Sequence, residues 1–184
     1  YRRQRQMCIR DSAKQEKNVS QMMKAHLTRA SLCIDITPDS LDSELSALKA
    51  WMEEEKDTVY QAILNNLLGY YILDTGKKDD TAIDTAIAYF QRSLQDKEIL
   101  FRKSAVEYRP MTNSKELSEK YCGDNMYQLL ARQAISRLSG YFIANPVSAE
   151  KIQTEILSIY DGLIDFYRQQ GMTCLLYTSP SPRD

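Results

Sequence analysis

Apolar residues recur at helical spacing along almost the whole chain, and almost nowhere in the alternation that a half-buried strand requires. Val19, Met22, Met23, Leu27, Ala30 and Ile34 share one side of a helix expected over residues 14–34. Leu41, Leu45, Leu48 and Met52 mark a second, with Trp51 beside the stripe, and Val59, Ile63, Leu67 and the Tyr70/Tyr71 pair mark a third. Ile83, Ala86, Ile87, Phe90 and Leu94 follow, then a short helix over 97–104. Met126, Leu129, Leu130, Ala134 and Leu138, and finally Ile152, Ile156, Ile159, Leu163 and Phe166, complete the series. Each stripe covers about one side of its helix. An isolated amphipathic helix of this length is marginal in water, so the stripes must bury one another.

The punctuation between stripes is that of helix ends. In Thr37-Pro38-Asp39-Ser40, the threonine suits a cap, the proline the first helical position and the aspartate the positive end of the dipole. Glu53-Glu54-Glu55-Lys56 closes the second helix in water, and Asp57 or Thr58 caps the third. Gly76 is a natural stop, with Lys77-Lys78-Asp79-Asp80 as the turn. The stretch from Tyr108 to Asp124 is the least regular, because Arg109-Pro110 pushes the backbone out of the α region. Gly123-Asp124-Asn125 leads into the next helix and Asn145-Pro146 caps the last. Short connections between helices imply antiparallel neighbours. The expected fold is all-α: antiparallel helical hairpins in a tetratricopeptide-like α-α superhelix. Leu68-Gly69 and Ile72 fit the first helix of such a repeat, and Ala86 and Phe90 the second, after a turn about five residues too long. No second copy appears at the period of about 34 residues that the repeat requires.

Both ends of the chain read differently. Residues 1–12 and 174–184 have no apolar period, and both back-translate into the transposase-type adapters of shotgun DNA libraries, in the expected orientation. They are expected to be adapter-derived and disordered, leaving 13–173 as a helical-hairpin region truncated at both ends. Without Arg2, Arg3, Arg5, Arg10, Arg183, Asp11 and Asp184 the formal charge moves from −1 to −4. The basic cluster that would suggest nucleic acid lies entirely in those ends, so no nucleic-acid partner is expected. Cys8 and Cys174 go with them, and Cys33 and Cys122 alone make neither a disulfide framework nor a metal motif. No run approaches the roughly 20 apolar residues of a membrane span.

Chemistry-bearing residues are sparse. His26, the only histidine, stands between Ala25 and Leu27 with no local nucleophile or carboxylate to orient it, which favours a packing or surface role. Cys33 and Cys122 read as structural thiols, and Glu53-Glu54-Glu55 as a solvated helix end rather than a cation site. Asn18-Val19-Ser20 matches a glycosylation acceptor but falls inside a helix. There is no glycine-rich phosphate loop and no Gly-x-Ser-x-Gly. No catalytic, cofactor-binding or metal residue is therefore expected, and no enzymatic activity. Tyr70, Tyr71, Tyr89 and Tyr141 are candidates for a partner surface, with core or groove packing favoured over it.

Three segments resemble one family in that family's own order. They are Glu16-Lys17-Asn18-Val19-Ser20-Gln21-Met22-Met23-Lys24-Ala25; Ile36-Thr37-Pro38-Asp39-Ser40-Leu41 with Trp51, the acidic run and Ala62-Ile63-Leu64; and Ser93-Leu94-Gln95-Asp96 through Tyr108-Arg109-Pro110 to the stretch from Gly123 to Ile135. Together they resemble the N-terminal helical region of large bacterial alpha-2-macroglobulin family proteins. The connection between Thr75 and Thr81 is shorter than that pattern has. The resemblance implies a periplasmic or cell-envelope protein of a protease-inhibitor superfamily, in which this region is a non-catalytic scaffold contacting neighbouring domains of the same protein. The family's thioester finds no counterpart at Cys33-Ile34-Asp35-Ile36 or Cys122-Gly123-Asp124-Asn125, so no functional residue carries over. Two other readings compete: a free-standing tetratricopeptide-like adaptor binding a peptide or protein, and the helical accessory domain of a larger enzyme.

Overall fold

A computed structural model describes residues 19, 21–23, 25–26, 28–29, 41–75, 80–105, 107–108, 124–144 and 149–171. Both adapter-like ends lie outside these residues, as do Thr37 to Ser40, Gly76 to Asp79, Arg109 to Gly123 and Asn145-Pro146. The described chain is helical, with α1 Leu41–Glu54, α2 Thr58–Thr75, α3 Asp80–Leu94, α4 Lys97–Phe101, α5 Met126–Ala144 and α6 Ala149–Gln169. Residues 19–29, where described, are helical too. No strand occurs among the described residues, only one isolated antiparallel bridge between Ser104 and Asn125. The all-α expectation holds.

The helix starts follow from specific side chains. Asp57 Oδ1 accepts the amides of Val59 at 2.8 Å and Tyr60 at 3.1 Å, satisfying two of the donors that every helix N-terminus leaves open. At α5 the arrangement is reciprocal. Asn125 Oδ1 accepts the Gln128 amide at 2.9 Å, and Gln128 Oε1 accepts the Asn125 amide at 3.0 Å. Asp80 is the first residue of α3 rather than part of the turn, since a carboxylate there meets the positive helix end. The short helix stops at Phe101, three residues before its expected end. The chain then turns to pair with the start of α5, through Ala105 N to Asp124 O at 2.9 Å and Met126 N to Lys103 O at 2.8 Å.

Packing is hierarchical. α2 and α3 form one closely apposed hairpin, α5 and α6 a second, and α2 also touches α5, α4 and α1. The hairpins lie side by side in parallel register. Asn66 on α2 donates to the Leu130 carbonyl on α5 at 3.1 Å, and Tyr70, one turn later, meets Arg137. On the other side Asp84 of α3 pairs with Lys151 of α6 at 2.8 Å, and Gln91 donates to Glu155 at 2.8 Å. These hydrogen-bonded partners are 64 to 67 residues apart in sequence. The distance accounts for the missing 34-residue period: the helical hairpins that stack are separated in sequence by α4 and the residues that follow it.

One expectation fails. α2 is not buried on one side only: Val59, Ala62, Ile63, Leu64, Asn65, Asn66, Leu68, Gly69, Tyr71 and Leu73 are all buried, all round the helix. A helix enclosed by neighbours on several sides must be apolar on several sides, or satisfy its polar groups internally. Asn66 does the latter, donating to Ser93 Oγ at 3.3 Å as well as to Leu130 O, and so ties α2 to α3 and α5 at once. The outer helices α3 and α6 keep the expected single stripe, with Ile83, Ala86, Phe90 and Leu94 buried in one and Ile152, Ile159, Leu163 and Phe166 in the other.

Candidate functional site

Among the described residues, those singled out for chemistry are not brought together. His26 is buried and stacks on Trp51, ring centroids 5.2 Å apart and planes 13° apart, which is a packing role. Cys33, Cys122, Asn18 and Ser20 lie outside the described residues. Glu53 and Glu54 are exposed, while Glu55 folds back to accept the amides of Lys56 at 3.1 Å and Asp57 at 3.0 Å, a turn-forming use of its carboxylate. Among the described residues no group of three or more histidine, cysteine, aspartate or glutamate side chains converges as a metal site would need. No described helix is long and apolar enough to cross a membrane.

The four tyrosines separate into three roles. Tyr71 is in the core. Tyr89 is half-buried, with Lys49 at 6.0 Å and Arg92 at 5.7 Å from its ring centroid. Tyr70 and Tyr141 line one groove between the C-terminal halves of α2 and α5. Its other walls are Leu73 and Asp74 from α2, and Ser136, Arg137, Gly140 and Ala144 from α5; its volume is about 280 Å³.

This groove follows from the parallel register. Where Asn66 draws α2 and α5 together at Leu130, the helices pack closely. Further along, α5 presents Ser136, Gly140 and Ala144 at intervals of four residues, so its groove-facing side is low, and a Cβ placed on Gly140 would meet nothing within 4 Å. The walls are consequently formed by longer side chains around an open floor. Arg137 carries its guanidinium 3.9 Å from the centre of the Tyr70 ring, close enough for a cation–π contact. Among the described residues neither Arg137 nor Asp74 forms an ion pair.

Two buried polar contacts escaped the sequence reading. Arg29 pairs with Glu44 in a buried ion pair that docks the N-terminal helical residues on α1. Glu155, only 8% exposed, has its carboxyl pushed above the usual range by burial, with the Gln91 hydrogen bond pulling the other way. A polar residue inside an otherwise apolar register was the available signal at Glu155; nothing in sequence pairs residue 29 with residue 44. No known protein family, characterised protein or solved structure matches the chain.

Proposed function

We propose that this chain works by contact rather than by catalysis, as a helical interaction region whose working surface is the groove between α2 and α5. The observation that carries the reading is the groove itself: two tyrosines and a stacked arginine on parallel helices, open at Gly140. Tyrosine and arginine supply large, orientable contact area and are enriched where proteins meet. Around 280 Å³ lies at the lower edge of the ~300–1,000 Å³ of small-molecule sites, and suits a few side chains of a partner.

Two settings suit such a surface. In the first, the chain is the helical scaffold region of a large bacterial alpha-2-macroglobulin-like protein of the cell envelope, and the groove meets a neighbouring domain of that protein. Support comes from the three ordered sequence segments. In the second, it is part of a tetratricopeptide-like α-α superhelix that binds a peptide. The stacking of two hairpins in parallel register favours this, as does the seating of Gly69 against Phe90 and the Ala86 carbonyl, the residues at which the repeat pattern was matched. Reading the uninterrupted gene separates the two. Macroglobulin β-domains downstream are the outcome expected of the first, and further helical hairpins without them would replace it by the second. Blocking the groove with Gly140→Trp is expected to weaken association with the flanking domains or peptide at least tenfold while the helical circular dichroism stays unchanged; unaltered association would remove the groove from either setting.

A further inference from the structure

Resting on that contact reading, we propose that the groove selects a peptide segment of mixed charge, with a carboxylate for Arg137, a cationic side chain for Asp74 and an apolar side chain between them. The two charges stand on opposite walls, Asp74 on α2 and Arg137 on α5, and neither is neutralised by another described residue. A guanidinium laid on an aromatic face keeps its edge N–H groups available, and that edge matches a carboxylate in bidentate geometry. Stacking on Tyr70 also restrains a side chain that would otherwise lose much rotamer freedom on binding, so its ordering cost is lowered beforehand. Asp74 sets the opposite preference on its own wall. It repels a polyanion, which argues against nucleic acid or a multiply phosphorylated segment, and offers a partner to lysine or arginine. The same lining includes Leu73 and the rings of Tyr70 and Tyr141, which favour an apolar side chain. The open space at Gly140 gives the peptide backbone room to pass close to α5.

The test uses the full chain and a random twelve-residue peptide display library as the probe, with enriched peptides then synthesised and measured by fluorescence polarisation. Enriched sequences are expected to carry one acidic and one basic residue flanking an apolar one. Their affinity should fall about tenfold or more with Arg137→Glu and with Asp74→Lys. In the double variant, peptides with the two charges exchanged should bind better than the originals. Both substitutions are at exposed positions, and unchanged thermal melting verifies that they fold. Peptides that lack the charge pair, or that ignore both reversals yet are lost on Gly140→Trp, would overturn the charge assignment and leave the contact reading standing. Peptides indifferent to Gly140→Trp as well, or no enrichment at all, would overturn both.

Discussion

The two hairpins solve the same packing problem with a glycine, in different ways. In the α2–α3 hairpin Gly69 lies against the Phe90 ring, and a Cβ there would come within 3.0 Å of ring carbons and 3.1 Å of the Ala86 carbonyl. In the second, Gly162 of α6 leaves room for the hydroxyl of Tyr127, a buried side chain on α5 flanked edge-on by Phe101 at 4.6 Å. Phe101 in turn stacks on Phe166 of α6 at 4.3 Å, and the phenol of Tyr167 accepts a hydrogen bond from Gln128 at 2.9 Å. The first contact is apolar surface on backbone, which no single atom's removal relieves. The second is built around the Tyr127 hydroxyl, with the flexible end of Lys97 beside it, so it is adjustable and depends on pH.

Truncating the ring at the centre of the first hairpin should have the largest effect. Phe90→Ala is expected to cost about 3–5 kcal/mol in urea denaturation, because the ring is wholly buried. Phe166→Ala, at the end of α6 and 8% exposed, should cost clearly less; equal losses would erase the distinction between a rigid and an adjustable hairpin. Next comes Asn66→Ala, which strands Ser93 and removes one of the ties between the hairpins, at about 1–3 kcal/mol. A cost near zero would mean that α2 is held to α5 without this buried hydrogen bond.

A double-mutant cycle sharpens the glycine comparison. Gly162→Ala should destabilise by about 1–3 kcal/mol through the Tyr127 hydroxyl. In a Tyr127→Phe background the same change should be neutral or favourable, since alanine gains up to about 1 kcal/mol over glycine in a helix. Gly69→Ala has no equivalent rescue, and finding one would contradict the geometry at Ala86.

The smallest effects are those of pH. Burial first, and Asp165 second, push the Tyr127 phenol up from 10.0 to about 12. A raised value in the folded state stabilises fully below 10.0 and is lost as pH climbs through about 12, so the second hairpin should loosen across that window. Amide exchange resolved by hairpin would show it, and Tyr127→Phe should abolish that component. Glu155 works in the same direction. Its raised carboxyl favours the fold below the ordinary value of 4.5 and weakens it as pH rises, so Glu155→Gln should melt slightly higher at neutral pH, with the gain shrinking towards 4.5. A gain independent of pH would point to packing instead.

Much of the scaffold was legible in the chain's residues. The stripes of α3 and α6, and a helix start at Asp57 or Thr58, could be read because each depends on residues close in sequence or on a period within one helix. The α2–α5 groove was visible only as tyrosines without a location. Its position depends on the register between hairpins, held by contacts such as Asn66 to Leu130 that cross 64 residues. The burial of α2 on several sides was hidden for the same reason, because the number of neighbours around a helix is a property of the assembly.

By itself, then, the sequence determined that this protein is helical, where several of its helices begin, and which face of its outer helices turns inward. Propensity, capping and amphipathic period act over a few residues, and that is enough to decide them. Only the tertiary structure decided which hairpins stack, which tyrosine is core and which is surface, and that Arg137 stands over Tyr70 in a groove that Asp74 also lines. Those outcomes come from packing between segments far apart in the chain, where shape and the satisfaction of buried polar groups select one register among many that the same stripes would allow.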